Sequence, residues 1–167
     1  MSLMPEKPPL AILIAVTAVG PLTINIFLPS MPGLVADLDT TYAMVQLTLS
    51  LYLAGLAIAQ LVYGPLSDRF GRRRPMLVGL GIFLVGSVVC ATAPTIGVLI
   101  GGRVLQAVGG CAGVVLGRAM VRDMFDRERS ASMIAYITMA MVVAPMLAPT
   151  IGGTLDEWVG WRYSFVF

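Results

Sequence analysis

The run Gly64-Pro65-Leu66-Ser67-Asp68-Arg69-Phe70-Gly71-Arg72-Arg73-Arg74 concentrates the chemistry of this chain, with one carboxylate, four guanidinium groups and two glycines in a short segment. A guanidinium can hold a carboxylate through two parallel hydrogen bonds. A fixed Asp can also neutralise the positive N-terminal end of a neighbouring helix. Gly64 and Gly71 permit tight turns and close backbone approach. A plain basic turn would account for the last three arginines. It leaves the Gly-x-Leu-x-Asp-Arg-x-Gly-Arg-Arg spacing unexplained.

Two further patterns stand in apolar surroundings. Arg103-Val-Leu-Gln106-Ala-Val-Gly109-Gly110 puts a cation roughly 12 Å inside an apolar stretch by helical rise. A charge at that depth is costly and faces a polar interior or a water-filled cavity; the alternative is snorkelling to the interface. Ala144-Pro-Met-Leu-Ala148-Pro149-Thr-Ile-Gly152-Gly153 spaces small residues four apart, which lets helices approach closely, and Pro149 removes a backbone bond. Ordinary membrane-helix packing explains that pattern equally well. Cys90 and Cys111 lie alone in apolar segments and read as small packing residues. There is no His, no metal-ligand cluster, no nucleophile paired with a base and no phosphate loop, so an enzyme is not expected.

The segments that must position these residues are long and greasy. The 167 residues are 57% hydrophobic and 12% charged, with mean hydropathy +0.88, whereas soluble domains carry about 25% charged residues. No Asp, Glu, Lys or Arg occurs from Pro8 to Ala36, Thr40 to Ser67, Pro75 to Gly102 or Ser130 to Leu155. Crossing about 30 Å of hydrocarbon takes about 20 apolar residues as helix. The fold expected is therefore all-α and membrane-embedded. Five complete helices are expected over 10–32, 42–65, 75–93, 95–122 and 130–154, and a sixth starts near Trp161. Pro75 and Pro94 suit first-turn positions, and the stretch before the first helix reads as leading into an uncleaved span. The remnant from Trp161 is too short to cross, so the chain looks incomplete.

Lys and Arg favour cytoplasmic loops. Arg69, Arg72, Arg73 and Arg74 follow the second span, Arg122, Arg127 and Arg129 follow the fourth, and Lys7 precedes the first. The opposite loops carry Asp37, Asp39, Asp156 and Glu157, with no cation before Arg162. A cytoplasmic N-terminus follows. The net charge of +2 gives no reason to expect nucleic acid as a partner.

The segment Gly64 to Arg74 resembles the signature loop between helices 2 and 3 of the major facilitator superfamily. That resemblance implies a conformational latch between two halves of a transporter, formed by Asp68, Arg72 and Asp123, with Gly64, Leu66, Arg69, Gly71 and Arg73 completing the motif. Arg103, Gln106, Gly109 and Gly110 are similar to the helix 4 motif tied to proton coupling, with Ala107 in place of a Gly. Ala144, Ala148, Pro149, Gly152 and Gly153 resemble the helix 5 motif of exporters, with Ala at 144 and 148. Leu22 to Pro32 and Gln46 to Tyr52 are similar to the Bcr/CflA drug-resistance branch, which usually has an acid where this chain has Asn25 and often a Tyr at Phe27. Asn cannot take and release a proton, and none of the expected spans holds an acid.

The family implies alternating access in a bacterial inner membrane. Small amphipathic drug-like molecules would be the substrates, protons the energy source rather than any cofactor, and a second half-bundle the partner. Asn25, Tyr52, Tyr136 and Met139 are the expected cavity-lining residues. Faintly, Gly64, Leu66, Asp68 and Gly71 share their offsets with Gly153, Leu155, Glu157 and Gly160, as an inverted repeat would. The alternatives are an importer of a small metabolite and a non-transporting membrane fragment.

Overall fold

A computed structural model describes residues 10–165. Lys7 and the stretch before Leu10 lie outside them. Every regular element among the described residues is helical: α1 (Leu10–Phe27), α2 (Met31–Asp37), α3 (Tyr42–Phe70), α4 (Arg73–Ala91), α5 (Ile96–Met124) and α6 (Arg127–Val159), with short 3-10 turns at Leu28–Ser30 and Trp161–Phe165. Five spans are long and apolar enough to cross a membrane, α1 and α2 together making the first.

Several boundaries differ from the sequence expectation, each for a local reason. The first span does not end at residue 32 but runs to Asp37, broken at Leu28–Ser30. Pro29 and Pro32 lack the N–H that an α-helical ladder needs there, so one turn tightens to the 3-10 form. α3 passes through Pro65 and ends at Phe70 instead of residue 65, because the chain turns only at Gly71, whose φ is +79°. α5 begins after Thr95, whose side chain accepts from the Val98 N–H, so Pro94 stands just ahead of the cap rather than in the first turn. α6 starts three residues earlier than expected because Asp126 accepts the Arg129 N–H at 2.9 Å. Beyond Gly160 the described chain forms a 3-10 turn, not yet a sixth α-helix.

α5 is the hub. More than half of its apolar stretch (56%) is buried, against 33% or less in the other spans. It packs against α4, α3 and α1, while α6 packs mainly on α1; α3 and α4 touch each other little. Small residues set these crossings. A Cβ on Gly109 would run into the α4 backbone at Gly79 and Phe83, and one on Gly113 into the Val16 carbonyl of α1. With no hydrophobic drive between helices in lipid, such close contact is the main source of association.

Two side-chain networks define the ends of the bundle. Arg72 bonded to Asp123 joins the α3–α4 and α5–α6 connections at one end. At the other end, Trp161 Nε1 donates to Asp37 at 2.9 Å and Arg162 donates to the Ala93 carbonyl at 3.2 Å.

Candidate functional site

The first cluster lies at the arginine-rich end. Gly71 turns the chain so that Arg72 folds back over the last turn of α3 and across to α5. Its Nε donates to Asp123 at 2.9 Å, and its Nη1 donates to Asp68 at 2.6 Å and to the Ser67 hydroxyl. The three residues proposed for the latch therefore meet, with Arg72 as the shared donor. Asp68 and Asp123 remain exposed (67% and 52%), so water competes for both and each bond is individually weak. The Asp123 hydrogen bond holds the Arg72 pKa above its ordinary value; burial opposes this, and Asp68 adds to the rise. A raised cation pKa keeps the group charged throughout the physiological range, so acidification cannot open the cluster through Arg72.

The rest of the motif is peripheral to that cluster. Arg69 lies over its neighbour Phe70, 5.4 Å from the ring centroid, and Arg73 opens α4 on the exposed surface. Gly64 needs correcting. It sits inside α3 with open space where a Cβ would be, so it serves neither a turn nor a close approach among the described residues. Leu66 is partly exposed on the same helix.

The second cluster surrounds Arg103, which is fully buried. Its guanidinium lies 4.4 Å from the Tyr52 ring centroid, 4.6 Å from that of Phe27 and 5.8 Å from that of Phe165. Its Nη1 donates to Gln106 Oε1 at 3.1 Å, and Gln106 Nε2 donates to Ser87 Oγ at 2.8 Å, tying α5 to α4. Arg103 Nε and Nη2 are buried without a hydrogen-bond acceptor among the described residues. Aromatic faces offset part of the cost of a buried cation, yet two donors stay available to an incoming acceptor. Tyr52 stands here, enclosed, with its hydroxyl 3.4 Å from the Gly20 carbonyl of α1 as donor. Gly110 packs near Gly20 at the same α1–α5 crossing.

The third cluster is where α6 crosses α1. Ala148 and Gly152 are buried, and a Cβ on Gly152 would collide with the Ile26 carbonyl. Gly153 faces Pro29, while Ala144 and Pro149 are half-buried. Asn25, next to Ile26, donates to the Pro21 carbonyl on its own helix at 2.8 Å rather than to a neighbouring helix. Tyr136 and Met139 are exposed on α6.

Sequence reasoning passed over Ser67, Ser87, Phe27 as an arginine partner, and Arg118. Arg118 on α5 is half-buried and its Nη2 points at the Met141 sulfur of α6, at 3.6 Å. Its signal was present as a second cation on the Arg103 helix. The aromatic partners gave none, being far apart in sequence.

The Major Facilitator Superfamily profile matches residues 13–167. Among curated proteins the chain is 41% identical over 151 residues to an uncharacterized MFS-type transporter of Bacillus subtilis, covering 90% of this chain and 38% of that protein. It is 35% identical to multidrug resistance protein D of Escherichia coli, over 95% of this chain and 40% of that protein. It is 38% identical to a chloramphenicol resistance protein of Pseudomonas aeruginosa, over 87% of this chain and 35% of that protein. The chain thus spans about two-fifths of the length of these relatives.

Proposed function

The chain belongs to the major facilitator superfamily as a multi-pass membrane protein, and on that premise we propose that it supplies the first-half bundle of an efflux transporter. The transporter would move small amphipathic drug-like molecules outward by alternating access, with protons moving inward. The arginine-rich end faces the cytoplasm of a bacterial inner membrane, as the distribution of cations supports. The remaining helices come from chain outside this segment.

The observation that carries the export reading is the α6–α1 crossing. The Ala148-Pro149-x-x-Gly152 step brings α6 onto the α1 backbone at Ile26, beside Asn25. Relatives named for drug resistance support the substrate class. Chemically, the bundle offers a cation with two unsatisfied donors at Arg103 and a breakable three-residue cluster at Arg72. No carboxylate lies in the charge-free runs and Asn25 cannot take and release a proton, so on this reading the exchanging acid stands in the other half, facing Arg103, or exchange is impaired.

Accumulation of ethidium in cells carrying the full-length protein tests this. Lower accumulation that a protonophore restores is the expected result. Equal accumulation with and without the protein would sink export, and efflux indifferent to the protonophore would sink antiport. Asn25→Asp places an acid at the crossing and should make efflux more pH-dependent; an unchanged pH profile would remove α1 from the coupling path.

A further inference from the structure

α3 and α4 both lean on α5 and scarcely on one another, which leaves a lateral groove of about 570 Å³ between them. That is within the roughly 300–1,000 Å³ range of small-molecule sites. Its floor is built from small and branched residues, Gly55 and Ala59 of α3 with Val104 and Val108 of α5, and its walls are almost wholly apolar. At one end stand Phe70 and Arg74. From Gly55 to Phe70 the helix rises roughly 22 Å, somewhat more than the roughly 15 Å of one leaflet's hydrocarbon, half of the core thickness. The groove therefore runs from the interface to about mid-membrane.

Among the described residues, Arg74 is the one charged residue lining the groove, and no carboxylate lines it. Arg72 is committed to Asp68 and Asp123, whereas Arg74 has no ion-pair or hydrogen-bond partner among the described residues. Arg73 stands beside it in sequence and Arg69 five residues before it. A long apolar slot closed at its interfacial end by an unpaired guanidinium has the shape and charge of an amphiphile's complement. Arginine forks suit phosphate oxygens, and basic pockets between membrane helices take anionic headgroups.

We propose that the α3–α4 groove is a binding site for an anionic phospholipid of the leaflet on the arginine-rich side. One acyl chain lies along Gly55, Ala59 and Val108, and the phosphate rests on Arg74. The lipid fills the gap between two helices that do not pack on each other, so its binding stiffens the α3–α4 hairpin that carries Arg72. The site is independent of the export reading, since it needs only a membrane and the arginine-rich end of the bundle.

The test uses the full-length protein with Val62→Cys, on the exposed groove wall, carrying a bimane label; Cys90 and Cys111 are fully buried. Nanodiscs contain phosphatidylcholine with a minor share of phosphatidylglycerol, and either lipid is brominated on its acyl chains. Quenching per mole should favour brominated phosphatidylglycerol by about fivefold for one interfacial cation, and Arg74→Gln should abolish the preference. A label at Leu84→Cys, exposed on α4 but outside the groove, should show no preference. Ile58→Cys provides a second groove position should Val62→Cys not fold. Equal quenching by the two lipids, a preference that survives Arg74→Gln, or the same preference at Leu84 overturns the proposal. Shielding of Val62 from both lipids also overturns it, because a helix or a second copy then fills the groove.

Discussion

Two turns at opposite ends of the bundle share one backbone and differ in everything attached to it. α3 ends at Gly71 with φ 79° and ψ 162°, and α6 ends at Gly160 with φ 88° and ψ 162°. Each glycine sits in a region that side-chain-bearing residues avoid. After Gly71 comes Arg72, held by exposed carboxylates. After Gly160 comes Trp161, buried against Phe165 with ring centroids 6.2 Å apart and bonded to Asp37. Phe165 in turn lies 5.5 Å from Phe27, which covers Arg103. An exposed ionic cluster exchanges partners at little cost, while a buried aromatic cluster does not. The two ends of the bundle thus differ in kind, one joined by exposed ion pairs and the other by a buried aromatic cluster.

The largest expected effect comes from the fixed end. Trp161→Ala should cost about 3–5 kcal/mol by loss of a large buried ring, read as a lowered unfolding temperature in detergent. A cost no greater than that of breaking the ionic cluster would erase the contrast. Next come Gly71→Ala and Gly160→Ala, each expected to lose about 1–3 kcal/mol from backbone strain. The same assay should give similar losses at the two sites; a large loss at one alone would mean that the shared dihedral angles are coincidental.

Smallest in stability is Asp123→Asn, worth about 0–1 kcal/mol because the pair is exposed. Its signature is conformational. Labels placed across the two halves of the full-length protein should report a shifted inward/outward balance, and Asp68→Asn should shift it the same way. No shift from either substitution would reduce the cluster to a surface ion pair.

Much of this was legible in the residues. Four charge-free runs, together with the segment that carries Arg103, give five spans because lipid tolerates no unpaired backbone and few charges, and the structure places helices in all five. Their ends were less legible. Asp126 and Thr95 cap by hydrogen bonds to N–H groups three residues on, and such caps outweighed the run of apolar residues as boundary signals. Asp68 and Arg72 are four apart on the chain, so their meeting is nearly local. Asp123 was suggested by resemblance, and its contact with Arg72 depends on how α5 packs. The turn expected at Gly64 falls instead at Gly71, because Pro65 did not stop the helix.

By itself, the sequence determined the medium, the number of crossings and the end on which the arginines collect. Those follow from the transfer of side chains between water and hydrocarbon, which each segment experiences alone. Only the tertiary structure decided that Tyr52, Phe27 and Phe165 enclose Arg103, that Gly152 meets Ile26, and that α3 and α4 part to leave a groove. Those arrangements depend on how closely helix backbones can approach, and that is a property of pairs of surfaces rather than of any single run of residues.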